Sequence, residues 1–62
     1  MRSIVIDLNL PDRGWFRFHC TVSANGRVAI EDPITELTAD ERELVGKAAL
    51  AAATRLGIVK GN

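Results

Sequence analysis

The sequence contains a single cysteine, Cys20, and a single histidine, His19. One cysteine cannot form an internal disulfide bond, and a structural zinc site usually takes four ligands from cysteine and histidine. We therefore expect neither a disulfide framework nor a metal, and no other cofactor is indicated. A lone thiol is typical of a protein in a reducing compartment, so we expect a cytoplasmic location.

The sequence also lacks an excess charge of either sign and a long hydrophobic run. Eight lysine and arginine residues balance eight aspartate and glutamate residues, so the formal net charge at pH 7 is zero. A chain without net charge has no general field that attracts nucleic acid or an anionic membrane. The longest apolar run, Ala48 to Ala53, is far shorter than the roughly 20 residues of a membrane-spanning helix. We expect a soluble protein without a membrane partner.

The chain is short, and its size limits the core it can build. Its 62 residues make one domain at most, so residues 1–62 are treated as a single domain. A domain of this size buries only about 60% of the surface that the unfolded chain exposes. Small domains often gain stability from a disulfide, a metal or a partner subunit. Because the sequence indicates neither of the first two, we expect association with another chain.

Alternation of apolar and polar residues predicts two strands, over 2–10 and 15–22, joined by a turn at 11–14. In the first strand, the residues expected in the core are Ile4, Ile6, Leu8 and Leu10. In the second strand, they are Phe16, Phe18, Cys20 and Val22. The opposite face of the second strand carries Trp15, Arg17, His19 and Thr21.

A third strand follows, and the turn before it determines its register. A two-residue turn at Asn25-Gly26 would set the apolar face of one strand against the polar face of the other. A three-residue loop with Gly26 at positive φ instead places Val22 opposite Val28 and Cys20 opposite Ile30. Since a one-residue slip moves every side chain to the other face, burial favours the three-residue loop.

A C-terminal helix is predicted from clear start and stop signals. Thr38 and Glu41 have the spacing of a capping box, and Leu56-Gly57-Ile58 fits a Schellman ending. The helical face expected to pack on the sheet consists of Leu44, Val45, Ala48, Ala51, Ala52 and Leu56. The predicted fold class is α+β, a three-stranded antiparallel β-meander with one C-terminal helix on one face, in the order β-β-β-α.

One group of side chains resembles a catalytic set, but its geometry is unfavourable. Neighbouring strand residues point to opposite faces, so His19 cannot readily activate the Cys20 thiol. We expect Cys20 to be a core residue. We also expect His19 to lie opposite Glu31 and to form, with Asp7 and Arg17, a charged lattice of the kind that stabilises sheets. The sequence thus favours a protein that is not an enzyme and has no small-molecule substrate.

Small residues on the predicted helix indicate an interface. Gly46, Ala49 and Ala53 extend the apolar arc beyond what three strands can cover, and Leu50 lies beside them. We expect a homodimer in which this ridge packs on its own copy about a two-fold axis. Antiparallel pairing of the first or third strand is the alternative route. Trp15, at the rim of the sheet, is either a cap on the core or an anchor for a partner.

These features favour a non-enzymatic protein-binding module, a small homodimeric accessory, adaptor or inhibitor protein. Phages and mobile elements frequently encode proteins of this kind. The expected partners are a second copy of the chain and another protein. The alternative is a DNA-binding regulator that uses the outer sheet face, with contacts from Arg17, His19 and Arg27, because arginine can read guanine. The balanced charge weighs against this alternative.

Overall fold

The predicted order of elements is confirmed. A computed structural model describes residues 1–32 and 36–59. It contains the strands β1 (Arg2–Leu10), β2 (Gly14–Val22) and β3 (Val28–Asp32) and the helix α1 (Ala39–Arg55). The strands form one antiparallel sheet in the order β1-β2-β3, and α1 packs on one of its faces.

The alternating pattern places the apolar residues of β1 and β2 under the helix, as predicted. Phe18 and Leu10 are fully buried, and Leu8 and Phe16 are half-buried against the core. The buried residues of the sheet are Ile4, Ile6, Leu10, Phe18, Cys20 and Val22. Period-two hydrophobicity is therefore sufficient to identify the inner face of the sheet.

The turn between β1 and β2 is built on positive φ angles. The Arg13 amide donates to the Leu10 carbonyl at 3.1 Å, and Asp12, the third residue of this turn, has a φ of 66°. Such an angle at the third position belongs to a type II turn, for which Pro11 at the second position is well suited. Gly14 follows with a φ of 87°. The positive φ of Asp12 was not expected from the sequence.

The loop between β2 and β3 confirms the predicted register. Gly26 has a φ of 90°, and the Ser23 amide donates to the Arg27 carbonyl at 2.9 Å. Val22 pairs with Val28. The three-residue loop therefore keeps the apolar residues of both strands on the inner face.

The predicted pairing of His19 with Glu31 is wrong. The ladder between β2 and β3 shifts register next to Cys20, so that His19 pairs with Asp32. A bulge sets two residues of one strand against one residue of the other. The extra residue here is Glu31, and the Thr21 hydroxyl donates to its carboxylate at 3.4 Å. Simple alternation along β3 could not anticipate this shift.

The helix begins at the predicted capping box. The Glu41 amide donates to the Thr38 hydroxyl at 3.1 Å, and the Thr38 amide donates to the Glu41 carboxylate at 2.9 Å. The same carboxylate oxygen accepts from the Arg13 guanidinium at 2.9 Å. Arg13 also donates to the Glu36 carbonyl at 3.0 Å. Arg13 therefore fastens the turn between β1 and β2 to the first turn of α1.

The helix is rotated relative to the sequence prediction. Its buried residues are Glu41, Val45, Ala49 and Ala53. Leu44 and Leu56, which were expected in the core, are 42% and 68% exposed, and Ala51 is exposed as well. Glu41, whose carboxylate is held by the Thr38 amide and by Arg13, lies on the buried face. Residues at intervals of four from Glu41 lie on the same face.

The end of the helix confirms the predicted Schellman motif. Gly57 has a φ of 79°. Its amide donates to the Thr54 carbonyl at 3.1 Å, and the Ile58 amide donates to the Ala53 carbonyl at 2.9 Å. Ile58 packs back on the core. Within residues 1–32 and 36–59, no helix has the length and apolar character needed to cross a membrane.

Candidate functional site

The sheet face opposite the helix is the candidate site and is called the outer face here. It is formed by the residues that alternate with the core positions. On β1 these are Ser3, Val5, Asp7 and Asn9, and on β2 they are Trp15, Arg17, His19 and Thr21. All of them are exposed except Thr21, which is half-buried. None of the described elements covers this face.

Trp15 is the most prominent side chain of the outer face. It pairs with Asn9 at the end of the sheet near the first turn and is 72% exposed. A shallow open groove of about 450 Å³ lies beside it, lined by Asp7, Trp15, Phe16 and Arg17. The groove therefore joins an aromatic wall to a charged pair on the outer face.

The charged pair beside Trp15 is made by neighbouring strands. Asp7 lies opposite Arg17, whose Nε donates to Oδ1 of the carboxylate at 2.9 Å and whose Nη2 donates to Oδ2 at 3.4 Å. This hydrogen bond lowers the pKa of the Asp7 carboxyl and raises that of Arg17. Both side chains are more than half exposed. An exposed ion pair contributes little to stability. The main effect of this pair is therefore to hold the Asp7 and Arg17 side chains in place beside the groove.

Phe16 connects the groove to the rest of the fold. Its ring stacks on that of Phe18 with centroids 5.9 Å apart. The Arg13 guanidinium lies 5.5 Å from the centre of the Phe16 ring, within the range of a cation–π contact. The sequence analysis did not single out Arg13, because its contacts with Glu41 and Phe16 depend on the tertiary fold. An arginine in the turn that precedes a strand has no distinctive spacing that would have identified it.

The thiol and the imidazole are placed where the sequence analysis expected them. Cys20 is 1% exposed in the core, whereas His19 is exposed on β2. Burial, followed by the negative charge of Glu31, raises the pKa of the Cys20 thiol. A buried thiol with a raised pKa is a poor nucleophile. In the described part of the chain, no three His, Cys, Asp or Glu side chains are close enough to hold a metal ion.

The predicted helical ridge does not form an exposed surface. Ala49 and Ala53 are fully buried against the sheet, so the premise that they lie on an uncovered flank is wrong. Gly46 is half-buried, and Leu50 is 36% exposed beside the loop that contains Gly26. The small side chains of Ala49 and Ala53 allow the helix to pack closely on the sheet. The predicted homodimer itself stays a prediction, and the exposed Trp15 is the member of the predicted set best placed for contact.

The residues considered for nucleic-acid contact are separated. Arg17 and His19 lie on the outer face, and Arg27 lies in the loop before β3. All three are exposed, but the guanidinium of Arg17 is engaged by Asp7. Reading a guanine with Arg17 would require this pair to open.

Comparison with protein-family models, with curated proteins and with solved structures finds no significant match to this chain. The function is therefore argued from the geometry of the outer face.

Proposed function

We propose that this chain is a non-enzymatic protein-binding module whose contact surface is the outer face around Trp15. The observation that carries the proposal is the 72% exposure of this indole on a sheet face. Tryptophan and arginine are enriched among the residues that dominate binding energy at protein interfaces. The groove brings the two together, with Arg17 beside Trp15.

The charge of the groove suits a partner that is a protein. Asp7 and Arg17 neutralise each other, so the surface around Trp15 has no strong net charge. A partner with an apolar side chain can cover the indole and enter the groove, while its polar groups reach the exposed edges of the ion pair. This arrangement has the apolar centre and polar rim of a protein interface.

Two observations support a function in binding instead of catalysis. The Cys20 thiol is buried and its pKa is raised, and His19 belongs to the opposite face of the same strand. A nucleophile requires its base within hydrogen-bond reach. We therefore propose an accessory, adaptor or inhibitor role. A cytoplasmic location and an origin in a phage or mobile element are the expectations that accompany it.

The nucleic-acid alternative has less support. The chain has no net positive charge, and the arginine nearest the exposed aromatic is already bound to a carboxylate. Binding to the phosphate backbone gains much of its strength from the release of counterions by basic residues. The outer face offers few free cations for this purpose and one large exposed aromatic.

The proposal is tested with a matched pair of variants. Trp15→Ala removes the exposed indole, and Leu56→Ala removes a side chain that is 68% exposed but lies at the end of the helix. Proteins captured from a host lysate on the immobilised native chain are identified, purified and titrated against all three chains. We expect Trp15→Ala to weaken binding at least about 30-fold, equivalent to about 2 kcal/mol, and Leu56→Ala to leave it unchanged.

Two results would contradict the proposal. A purified partner that binds native chain and Trp15→Ala equally would show that the outer face is not the contact surface. Strong retention on heparin at low salt that disappears with added salt would favour the nucleic-acid regulator.

A further inference from the structure

The free edge of β1 provides a second surface, independent of Trp15. Among residues 1–32 and 36–59, β1 pairs with β2 and with no other strand. It is nine residues long and its ladder is regular. Apart from the bond in the turn that follows it, β1 makes no other backbone hydrogen bond to a described residue. One side of this strand therefore exposes a row of unpaired amides and carbonyls.

The residues that expose these groups follow from the ladder. Ser23 donates to Arg27 across the loop between β2 and β3, so these two residues form a hydrogen-bonded pair on the β3 side. The backbone groups of successive strand residues point to alternate sides. Val22 therefore faces β1, where its partner is Arg2. The β1 residues that face away from β2 are then Ser3, Val5, Asp7 and Asn9.

The two edges of the sheet are protected to different degrees. Natural edge strands avoid pairing by being short, by containing a bulge, or by carrying lysine or proline. β3 has five residues and a bulge. β1 has nine residues with no lysine, proline or bulge, and the charge of Asp7 is neutralised by Arg17. Of the two edges, β1 is therefore the one suited to pairing.

We infer that β1 pairs in antiparallel orientation with β1 of a second copy, forming a six-stranded sheet about a two-fold axis at Val5. This register sets Val5, 54% exposed in the single chain, beside the partner's Val5. On the inner face it sets Ile4 opposite the partner's Ile6, so apolar side chains continue across the axis. Asp7 lies opposite the partner's Ser3. A two-fold axis at Asp7 is disfavoured because it would oppose two carboxylates.

The helix supplies apolar surface to the same interface. A Cβ atom on Gly26 would lie 3.6 Å from the Leu50 side chain, so the Leu50 flank of α1 faces the loop that joins β2 to β3. Leu44 is six residues earlier, on the opposite flank at about 100° per residue, and so lies on the β1 side. Leu44 is 42% exposed and Ala48 is half-buried.

In the six-stranded sheet both helices lie on one face, with these flanks towards each other. A strand ladder alone buries less than the roughly 1,000 Å² expected of a specific interface. The Leu44 flanks of the two helices add the apolar area that the ladder lacks. The assembly thus enlarges the small core of a 62-residue chain, as small domains often require.

The dimer also places two copies of Trp15 on one face of the enlarged sheet. Strand spacings of about 4.8 Å and rises of about 3.4 Å per residue place the two Trp15 residues about 30 Å apart on the same face. The dimer thereby presents two copies of the groove to one side. The assembly does not depend on Trp15, so mass measurements test the dimer and partner binding tests the groove.

The dimer is tested by sedimentation equilibrium of the native chain and of two edge variants. Val5→Lys sets two ammonium groups against each other at the proposed axis, and Ala29→Lys places the same charge on the exposed β3 edge. We expect a native dimer at high micromolar concentration, a dissociation constant raised at least about tenfold by Val5→Lys, and no change in Ala29→Lys. Leu44→Lys should weaken the dimer more than Leu50→Lys. Circular dichroism verifies that each variant is folded.

Amide hydrogen exchange of the native chain tests the same interface without a mutation. The amides of Ser3, Val5 and Asp7 should become more protected as the chain concentration rises. A native chain that stays monomeric at high micromolar concentration overturns the inference. So does a dimer that Ala29→Lys disrupts and Val5→Lys does not, or a dimer whose β1 amides exchange equally fast at all concentrations.

Discussion

The two faces of β2 are made by alternate residues of one strand and have opposite environments. Phe18 is fully buried under the helix, whereas Trp15, three residues earlier, is 72% exposed. A large apolar side chain left in water forgoes roughly 1.5–3 kcal/mol of burial. The inner face uses its aromatic residue for stability. The outer face leaves its largest aromatic exposed, and contact with a partner would recover this free energy.

The two ion pairs, Arg13 with Glu41 and Arg17 with Asp7, also differ in their exposure to solvent. Glu41, whose side chain is 11% exposed, accepts hydrogen bonds from Arg13 and from the Thr38 amide. Asp7 is 53% exposed and is bound by Arg17. A partly buried pair is screened by solvent less than an exposed one. The first pair therefore links the turn between β1 and β2 to the start of the helix, while the second lies on an open surface.

The largest expected effect comes from a glutamate on the buried side of the helix. The control is a glutamate on its exposed side. Ala49 is fully buried, so Ala49→Glu buries an unpaired carboxylate at a cost of about 3–5 kcal/mol. The total stability of 62 residues is about 3–9 kcal/mol. We expect Ala49→Glu to lose about 3–5 kcal/mol of unfolding free energy in a urea titration, and Ala51→Glu, at an exposed position, to lose much less. Equal losses in the two variants would contradict the described helix rotation.

Alkylation of Cys20 tests whether the inner face of the sheet is closed to solvent. The thiol is buried and its pKa is raised. Alkylation by iodoacetamide at neutral pH should be at least about tenfold slower in the folded chain than in the urea-unfolded chain, because reaction requires opening of the core. Mass spectrometry follows the reaction. Equal rates would mean that the inner face is open to solvent.

A smaller gain in stability is expected at Gly46. A Cβ atom at this position would meet no atom within 4 Å, and glycine in a helix interior is less stable than alanine by roughly 1 kcal/mol. Gly46→Ala should raise the free energy of unfolding by about this amount in a urea titration. A decrease would indicate that Gly46 lies in a close contact that the single chain does not contain.

The smallest expected effect is the dependence of stability on acid. The Thr38 amide and Arg13 lower the pKa of Glu41 from its ordinary value of 4.5, and Arg17 lowers that of Asp7 from 3.8. The unfolded chain then binds more protons in acid than the folded chain. Stability should therefore be fully present above about pH 5 and fall as the pH drops below these ordinary values.

Two variants show how much each carboxylate contributes to the loss of stability in acid. Glu41→Gln should flatten the loss of stability between pH 5 and 2 more than Asp7→Asn does, because Glu41 is the less exposed carboxylate. Thermal unfolding at a series of pH values measures both. A larger effect of Asp7→Asn would reverse the assignment of the two ion pairs.

Much of the fold was predictable from local patterns. Alternation identified the inner residues of β1 and β2, and Gly26 determined the register with β3. The capping box at Thr38 and the glycine at position 57 marked the ends of the helix. Each of these signals acts within a few residues along the chain, so no knowledge of distant contacts was needed.

The rotation of the helix was not predictable in the same way. Alanine occupies both buried and exposed positions of α1, such as Ala49 and Ala51, so the hydrophobic pattern does not distinguish its faces. The buried face includes Glu41, which contacts Arg13, a residue 28 positions away in the sequence. At the candidate site, the position of Trp15 on the sheet followed from alternation, whereas the groove required the pairing of Asp7 with Arg17.

Quenching of Trp15 fluorescence by acrylamide tests the central claim most directly, because Trp15 is the sole tryptophan of the chain. One face of β2 is closed by the helix, and we propose that the other is open for binding. The quenching constant of the folded chain should be close to that of the urea-unfolded chain, and it should stay so at concentrations where β1 pairs. A several-fold lower constant in the folded chain would mean that the indole is covered, and the outer face would not be the open surface proposed here.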